Sequence, residues 1–395
     1  MIPRRTVLWL GLAQLISWGI TYYLVGVFGG AIAADLGWTR DVVYGGFSAA
    51  LLAMALMSPF AGRWIDRHGG RRIMAAGSLL NAAGCAGLAA SHGVATYYAS
   101  WIALGVAMRL TLYDAAFAAL ARIAGVGARR AMAQITLLGG LASTVLWPLG
   151  HWLAERAGWR GAVLAYAGLA LLTLPLHLAL PDTRHDHDAA VAATPHAAPR
   201  PLAASRADRI LASVLYAAIA ALASFLNAGM SSHMIGILTG LGIAAATAVW
   251  IATLRGVGQS AARLSEVVFG RRVDPLALNL VAAAVMPASF VAGLFSGRSS
   301  TAAAAFALLY GASNGVLTIT RGTLPLVLFD PRVYGALVGK LLIASFILSA
   351  AGPVIYATVI DRLGDAGALW ASLLAAGLAL AAALVLWLRF RAARA

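Results

Sequence analysis

The sequence predicts an all-α membrane protein with twelve transmembrane helices in two pseudo-symmetric six-helix bundles. The first reason is composition: mean hydropathy is +0.84, and 61% of the 395 residues are hydrophobic against 11% charged. This is more apolar side chain than a water-soluble surface accommodates. Second, apolar runs of about 20 residues, the length of a bilayer-spanning helix, recur between short charged segments. Third, the two halves of the chain repeat one pattern of charges, which indicates an internal duplication.

The apolar runs define the expected spans. Helices are favoured over membrane strands because Ala, Leu and Gly dominate the runs without the alternation typical of a membrane barrel. The expected spans are 7–30, 43–62, 72–92, 94–120, 131–153, 160–180, 209–229, 243–265, 275–296, 300–320, 334–359 and 367–388. They group into an N-terminal bundle over 1–181, a cytoplasmic linker over 182–208 and a C-terminal bundle over 209–395.

The charges between the spans predict the orientation. Arginines concentrate in every second gap and near both ends of the chain, so the positive-inside rule places those gaps and both termini in the cytoplasm. Because the arginines form no single basic face, the net charge of +15 requires no nucleic-acid partner. The chain has 28 Arg against one Lys, with many Ala and Gly, a bias typical of a GC-rich bacterial genome. We therefore expect a multi-pass protein of the bacterial cytoplasmic (inner) membrane.

Neither the linker nor the single cysteine indicates metal or disulfide chemistry. His185, Asp186 and His187 could be metal ligands, but a solvated connection is favoured because no further ligands stand at a closing spacing. Cys85 lies inside an apolar run, where we expect a buried small apolar residue and no internal disulfide. The sequence also lacks a nucleophile–base constellation and a phosphate loop, so neither an enzyme nor a cofactor is expected.

Two charge patterns recur in the second half. A shift of 206 residues places 155–158 over 361–364, where an acid, an arginine and a glycine repeat. A shift of 200 residues superposes four further charged positions, so that Arg63, Asp66, Arg71 and Arg72 fall on Arg263, Glu266, Arg271 and Arg272. The simplest interpretation of these recurring patterns is a duplicated unit of six helices.

The segment from Gly62 to Arg72 carries the most recognisable motif. It reads GRWIDRHGGRR and joins spans two and three. Its spacing resembles the G-x-x-x-D-R-x-G motif, followed by basic residues, of the major facilitator superfamily. The resemblance implies the twelve-helix major facilitator fold and transport of a small molecule by alternating access. The matching residues are Gly62, Asp66, Arg67, Gly69, Arg71 and Arg72.

Physical chemistry favours a gating role for this motif. The first glycine permits close helix approach, and Asp66 can accept hydrogen bonds from arginines or from a helix N-terminus in the other half. Such contacts would hold the cytoplasmic ends together while the cavity faces outward. Arg71 and Arg72 could equally serve only to fix the topology through the positive-inside rule. Asp66 adds nothing to that anchoring, so gating is favoured for it. We extend the gating interpretation to the repeated Arg263 and Glu266.

Ionisable residues deep in a span are costly and are therefore functional candidates. Arg255 lies near the middle of span eight, about 16 Å from either end, and no acid lies within one turn of it. Its planar fork suits a carboxylate, so we expect it to bind an anion, with pairing to Asp114 as the alternative. In span four, Arg109 and Asp114 are about 140° apart around a helix. A structural role for Arg109 is equally open, and Asp114 is the expected acid if protons are coupled.

Further polar and aromatic side chains would complete the site. A shift of 205 residues places Asn314 over Arg109, so the halves would present a neutral and a charged polar group to one cavity. Lys340 lies a turn or two inside span eleven. The expected substrate contacts are Arg255, Arg109, Lys340, Asn314, Tyr22, Gln14, Asn227 and Tyr310.

A second resemblance concerns the cargo. Residues 35–40 (DLGWTR) and 46–48 (GFS) are similar to the oxalate/formate exchanger and monocarboxylate porter branch of the superfamily. In that branch basic residues on helices eight and eleven bind the carboxylate, and these are Arg255 and Lys340 here. The resemblance implies a carrier of small organic anions, chiefly monocarboxylates. We expect it to act as a monomer, and uniport, anion exchange and proton symport are all open. Export of amphipathic or cationic compounds is the alternative, and a receptor or scaffold without transport is a third hypothesis.

Overall fold

The structure is a computed structural model that describes residues 2–185, 201–269 and 273–391. The chain divides into two compact units. The first comprises Met1–Ala198 and Pro331–Ile343, and the second comprises Pro199–Asp330 and Ala344–Ala395. The all-α class predicted from hydropathy is confirmed. The predicted boundaries of the two bundles and the linker stay predictions, because most of the linker lies outside the described residues.

The helices follow the apolar runs, and each predicted span overlaps one helix or two consecutive helices. Short 3-10 helices at Gly125–Ala128 and Pro331–Val333 precede two of the helices. In chain order the helices are α1 (Arg4–Ile20), α2 (Leu24–Leu36), α3 (Arg40–His68), α4 (Gly70–Ala89), α5 (Val94–Thr111), α6 (Tyr113–Ala124), α7 (Arg129–Gly139), α8 (Ala142–Leu178), α9 (Arg206–Gly240), α10 (Ala245–Phe269), α11 (Pro275–Leu294), α12 (Ser300–Leu328), α13 (Tyr334–Leu341) and α14 (Ile343–Arg391).

Within the described ranges, seven segments are long and apolar enough to cross a membrane. The longest, Val94–Leu178 with 85 residues, contains the predicted spans four and five and nearly all of span six, and Pro331–Arg391 with 61 residues contains spans eleven and twelve. Such lengths far exceed the roughly 20 residues of one crossing. The two long segments therefore each provide more than one span.

Spans one, four, five and eleven are interrupted, and the expectation that Arg109 and Asp114 share one helix was wrong. At Leu112, between α5 and α6, the backbone is extended with ψ −174°. The break frees the carbonyl of Thr111, which accepts a hydrogen bond from Gln14 Nε2 at 2.6 Å. Asp114 falls in the first turn of α6, where the helix dipole favours an acid. The buried amide of Gln14 and the acid Asp114 in the first turn of α6 together stabilise this break.

Two glycine turns support the internal duplication. Gly158 interrupts α8 with φ 67° and ψ 172°, and Gly364 interrupts α14 with φ 72° and ψ 178°. Positive φ favours glycine because side chains clash there. These are the two positions that the shift of 206 residues superposes, so the same turn separates spans five and six and spans eleven and twelve.

One arginine ties together three helices at one end of the first unit. Arg160 Nη1 donates to Ala89 O at 2.8 Å and to Ser91 O at 2.7 Å, while Nη2 pairs with Asp35 at 3.2 Å. Carbonyl groups at the end of a helix such as α4 lack partners within the helix. Arg160 supplies those partners and joins α8 to the ends of α2 and α4.

Candidate functional site

Asp66 caps a helix from a distant part of the chain. It lies near the end of α3, and its carboxylate oxygens accept hydrogen bonds from the first turn of α13. Oδ1 accepts from Gly335 N at 3.0 Å, and Oδ2 accepts from Ala336 N at 2.7 Å. Amides in the first turn have no partner within their own helix, and the helix dipole favours an anion there. Asp66 therefore holds α13 with two charge-assisted hydrogen bonds.

Small residues let α3 and α13 approach closely. A Cβ at Gly62 would overlap the carbonyl group of Gly335, and a Cβ at Gly335 would lie 2.6 Å from Gly62 O. One turn further along, the Ser58 hydroxyl donates to Gly339 O at 2.6 Å. On α3 the contacting residues thus recur every four positions, as they do on α13. We call the set of Ser58, Gly62, Asp66, Gly335 and Gly339 the α3–α13 contact.

Arg109 supports the α3–α13 contact. The residue is 2% exposed, and its Nε donates to Ser58 Oγ at 3.0 Å, so that Ser58 links the arginine to Gly339. A Cβ at Gly339 would stand 3.5 Å from Arg109 Nη2. Of the two roles that the sequence left open for Arg109, this position favours the structural one.

The remaining motif residues divide between a packed turn and exposed arginines. Gly69 has φ 85°, and a Cβ there would overlap Asp182 Oδ1, so both its conformation and its surroundings require glycine. Arg122 pairs with Asp182 at 3.5 Å, and its Nε donates to the backbone oxygen of Asp66 at 3.2 Å. Sequence reasoning did not assign Arg122 to the motif. The exposed members of the motif are Arg67, Arg71 and Arg72.

Gly62→Ala is expected to lower the melting temperature of the purified protein, because the added methyl group overlaps the Gly335 carbonyl and α13 has to shift. Overpacking of this kind costs about 1–3 kcal/mol. Gly168→Ala is the matched control: it also replaces a glycine within a helix, but nothing lies within 4 Å of the added Cβ. Its melting temperature should stay constant or rise. Equal melting temperatures for the two variants would contradict the close approach of α3 and α13.

A second polar cluster surrounds Arg255 in the second unit. Arg255 Nη2 donates to Asn227 Oδ1 at 2.6 Å and to Ser231 Oγ at 3.0 Å. Asn227 Oδ1 also accepts from Asn314 Nδ2 at 3.0 Å. The guanidinium carbon lies 5.3 Å from the centre of the Tyr310 ring, which is a cation–π contact. Helices α9, α10 and α12 bring these five residues together, and we call them the Arg255 cluster.

Every partner of the Arg255 guanidinium in the described part of the chain is neutral. These partners are an amide oxygen, a hydroxyl oxygen and an aromatic ring. Within residues 2–185, 201–269 and 273–391, Arg255 Nε and Nη1 and Asn227 Nδ2 donate to no protein acceptor. The Tyr310 hydroxyl is likewise buried without a partner in those ranges. The cluster therefore offers uncommitted donors and one positive charge, which suits an anion.

Sequence reasoning identified four members of the Arg255 cluster and missed Ser231. The four were chosen because ionisable, amide and phenolic groups are rare in apolar spans. Serine gives a weaker signal, since small polar residues are common in membrane helices. Ser231 follows Asn227 by four positions, one helix turn, and this spacing would have placed the two on one face.

The other predicted substrate residues lie outside this cluster. Gln14 is fully buried and bonds to the carbonyl freed by the break in span four. Tyr22 is half-buried, with its ring centre 5.0 Å from that of Trp18. Lys340 is exposed in the last turn of α13, which belongs to the first unit. Asp114 is half-buried in the first turn of α6, and its role in proton coupling stays a prediction.

The charges repeated in the second half are only partly described. Arg263 and Glu266 are buried on α10, with exposed fractions of 3% and 8%. Arg271 and Arg272 lie outside the described residues. The gating role assigned to this repeat stays a prediction.

The protein is an all-α membrane protein with two notable features. An acid after its second span caps a helix, and a polar cluster surrounds an arginine in the middle of another span. This combination is typical of a membrane carrier. The chain belongs to the Major Facilitator Superfamily, whose family model matches residues 10–353. It is therefore a multi-pass membrane transporter.

Solved structures of this superfamily share the fold over nearly the whole chain. The human organic anion transporter MFSD10 (TETRAN) has a TM-score of 0.71 at 20% identity, covering 97% of this chain and 99% of that chain. The proton:xylose symporter XylE has a TM-score of 0.76 at 14% identity, covering 97% and 94%. FucP in its outward conformation has a TM-score of 0.73 at 14% identity, covering 95% and 97%. No curated protein matches the sequence significantly.

These likenesses establish the fold alone, because every identity is 20% or lower. The resemblance to the oxalate/formate exchanger and monocarboxylate porter branch stays a prediction. The residues of the Arg255 cluster are therefore the best indication of the substrate.

Proposed function

We propose that the protein transports small organic anions, chiefly monocarboxylates, across the bacterial cytoplasmic membrane by alternating access, with Arg255 as the carboxylate anchor. The observation that carries this proposal is a guanidinium near the middle of a span whose protein partners, among the described residues, are all neutral. Arg255 is half-buried within an apolar span, where a charge without a counter-charge is costly, so the site gains stability when an anion enters.

The surrounding groups favour an anion over other cargo. A cation would be repelled by Arg255, and a neutral polyol would need acceptors as well as donors. Asn227 Oδ1, the best-placed acceptor, is already used by Arg255 and Asn314. One structural relative is described as an organic anion transporter and another as a xylose symporter, so the fold accommodates either cargo. The uncommitted donors of the Arg255 cluster support an organic anion as the cargo.

The α3–α13 contact supports the gating part of the proposal. Helix α13 runs into α14 after a single residue, and α14 belongs to the second unit from Ala344 onward. Loss of the two hydrogen bonds from Asp66 would free the segment that leads into that unit. We assign Asp66 and Gly62 to this gate and Arg67, Arg71 and Arg72 to cytoplasmic anchoring, and we propose that the carrier acts as a monomer.

Addition of lactate, pyruvate or acetate is expected to raise the melting temperature of the purified protein. A ligand at 100 times its Kd stabilises the native state by about 2.7 kcal/mol. Xylose and tetraphenylphosphonium at equal concentration are the controls, and neither should have an effect. A shift with xylose alone would indicate a sugar carrier, and a shift with tetraphenylphosphonium alone would indicate an exporter of amphipathic cations.

Uptake into proteoliposomes separates a carrier from a receptor. Saturable uptake of the carboxylate that raises the melting temperature is expected, measured at pH 5.5 and pH 7.5 to reveal coupling to protons. Binding of that carboxylate without flux in either pH condition would contradict the transport proposal.

A further inference from the structure

We propose that Ser231 is an exchangeable acceptor: before substrate binds, its hydroxyl holds one hydrogen of Arg255 Nη2, and a substrate carboxylate displaces it. This inference rests on the proposed function, because it assumes that Arg255 receives a carboxylate. Ser231 thus has a positioning role, because it sets the affinity of the site through Arg255. Removal of its hydroxyl is predicted to lower the Kd of the substrate, whereas removal of a group that contacts substrate directly raises that Kd.

The hydrogens on Arg255 Nη2 limit how a carboxylate can bind. This nitrogen carries two, and it has two acceptors, Asn227 Oδ1 at 2.6 Å and Ser231 Oγ at 3.0 Å. A carboxylate that binds a guanidinium with two parallel hydrogen bonds uses Nη2 together with either Nε or Nη1. Such binding therefore requires one of the two present acceptors to leave Nη2.

Asn227 is the acceptor that is held in place. Its Oδ1 has the shorter contact with Arg255 and also accepts from Asn314 Nδ2 at 3.0 Å. Its displacement would break two hydrogen bonds and leave Asn314 without this acceptor. Asn227 is therefore expected to orient the guanidinium both before and after substrate binds.

Ser231 is the acceptor that can leave. Its contact with Arg255 is longer, and the residue is exposed. Its single hydroxyl hydrogen is donated to Asn227 O at 2.6 Å, so the hydroxyl presents only a lone pair to the site. A lone pair repels a carboxylate, and the bond to Asn227 O persists after Arg255 moves away. Displacement of Ser231 thus costs one hydrogen bond and leaves no protein group unpaired.

The test compares the Kd of lactate for the purified full-length protein and its variants by isothermal titration calorimetry. Ser231→Ala removes the competing acceptor and is expected to lower Kd about tenfold, since a hydrogen bond to a charged group contributes about 1.5–3 kcal/mol and 1.4 kcal/mol is tenfold in Kd. Ser231→Thr keeps the acceptor and should leave Kd unchanged. Ser231→Asp places a permanent carboxylate beside Arg255 and should raise Kd at least about 100-fold.

Ser232→Ala is the matched control. Ser232 is the next residue, is also exposed, and donates its hydroxyl to Ala228 O at 3.2 Å without contacting Arg255. Its Kd should equal that of the unmodified protein. A Ser231→Ala variant with an unchanged or raised Kd overturns the role of Ser231 while leaving the proposed function in place. Absence of lactate, pyruvate and acetate binding by the unmodified protein overturns both.

Discussion

Replacement of Arg255 by glutamine is expected to reduce saturable uptake of lactate into proteoliposomes about 30-fold. Glutamine retains an amide that can still bond to Asn227, but it removes the positive charge and the planar fork. Truncating one partner of a buried, hydrogen-bonded charge pair costs about 2–5 kcal/mol, and the lower end of that range applies to Arg255 because it is half-buried. The ratio kcat/KM should therefore fall about 30-fold.

Two further variants make this result specific. Arg298→Gln removes an exposed arginine between α11 and α12 and should transport at the unmodified rate. Arg255→Lys keeps the charge without the fork, so its uptake should lie between those of the unmodified protein and Arg255→Gln. Unimpaired lactate uptake by a folded Arg255→Gln protein would end the assignment of Arg255 as the carboxylate anchor.

Asp66→Asn is expected to reduce the initial rate of uptake by at least about tenfold and to release α13 from α3. Asparagine keeps the size of the side chain, but its amide nitrogen cannot accept the hydrogen bond that Asp66 now accepts from Gly335 or Ala336. A hydrogen bond to a charged group contributes about 1.5–3 kcal/mol, and the charge–dipole attraction is lost as well. Hydrogen exchange over residues 331–343, measured by mass spectrometry, should become faster.

Asp41→Asn provides the control for this prediction. Asp41 is an exposed acid in the first turn of the same helix, so the substitution changes charge and side chain identically. Neither uptake nor exchange over 331–343 should change. If Asp66→Asn exchanged as slowly as Asp41→Asn and transported as fast, the hydrogen bonds to α13 would have no part in gating.

The fold followed from the sequence because hydropathy acts over whole spans. Runs of about 20 apolar residues can satisfy their backbone only as helices in a bilayer, so the order of the spans was fixed before any tertiary contact was known. The break at Leu112 was not predictable in this way. No glycine or proline marks it, and the carbonyl it frees is satisfied by Gln14, which is distant in sequence. Tertiary partners decide such breaks.

Only part of the candidate site could be predicted, because the tertiary partners of each side chain do not follow from hydropathy. Depth within a span identified Arg255 and Arg109 as costly charges, but depth does not determine which neighbour a side chain faces. Arg255 donates to the neutral side chain of Asn227, whereas Arg109 donates to Ser58 of the α3–α13 contact. The acceptor role of Asp66 was predicted from the motif, but its partners Gly335 and Ala336 were not, since they are about 270 positions away.

Lys340 gives the protein a built-in chemical handle. It is the only lysine in the chain, and it is exposed at the end of the helix that Asp66 holds. Apart from the α-amino group, an amine-reactive fluorophore would therefore attach at one place, on α13, without any engineered residue. Emission from that dye would follow the movement of this helix during turnover in the native sequence.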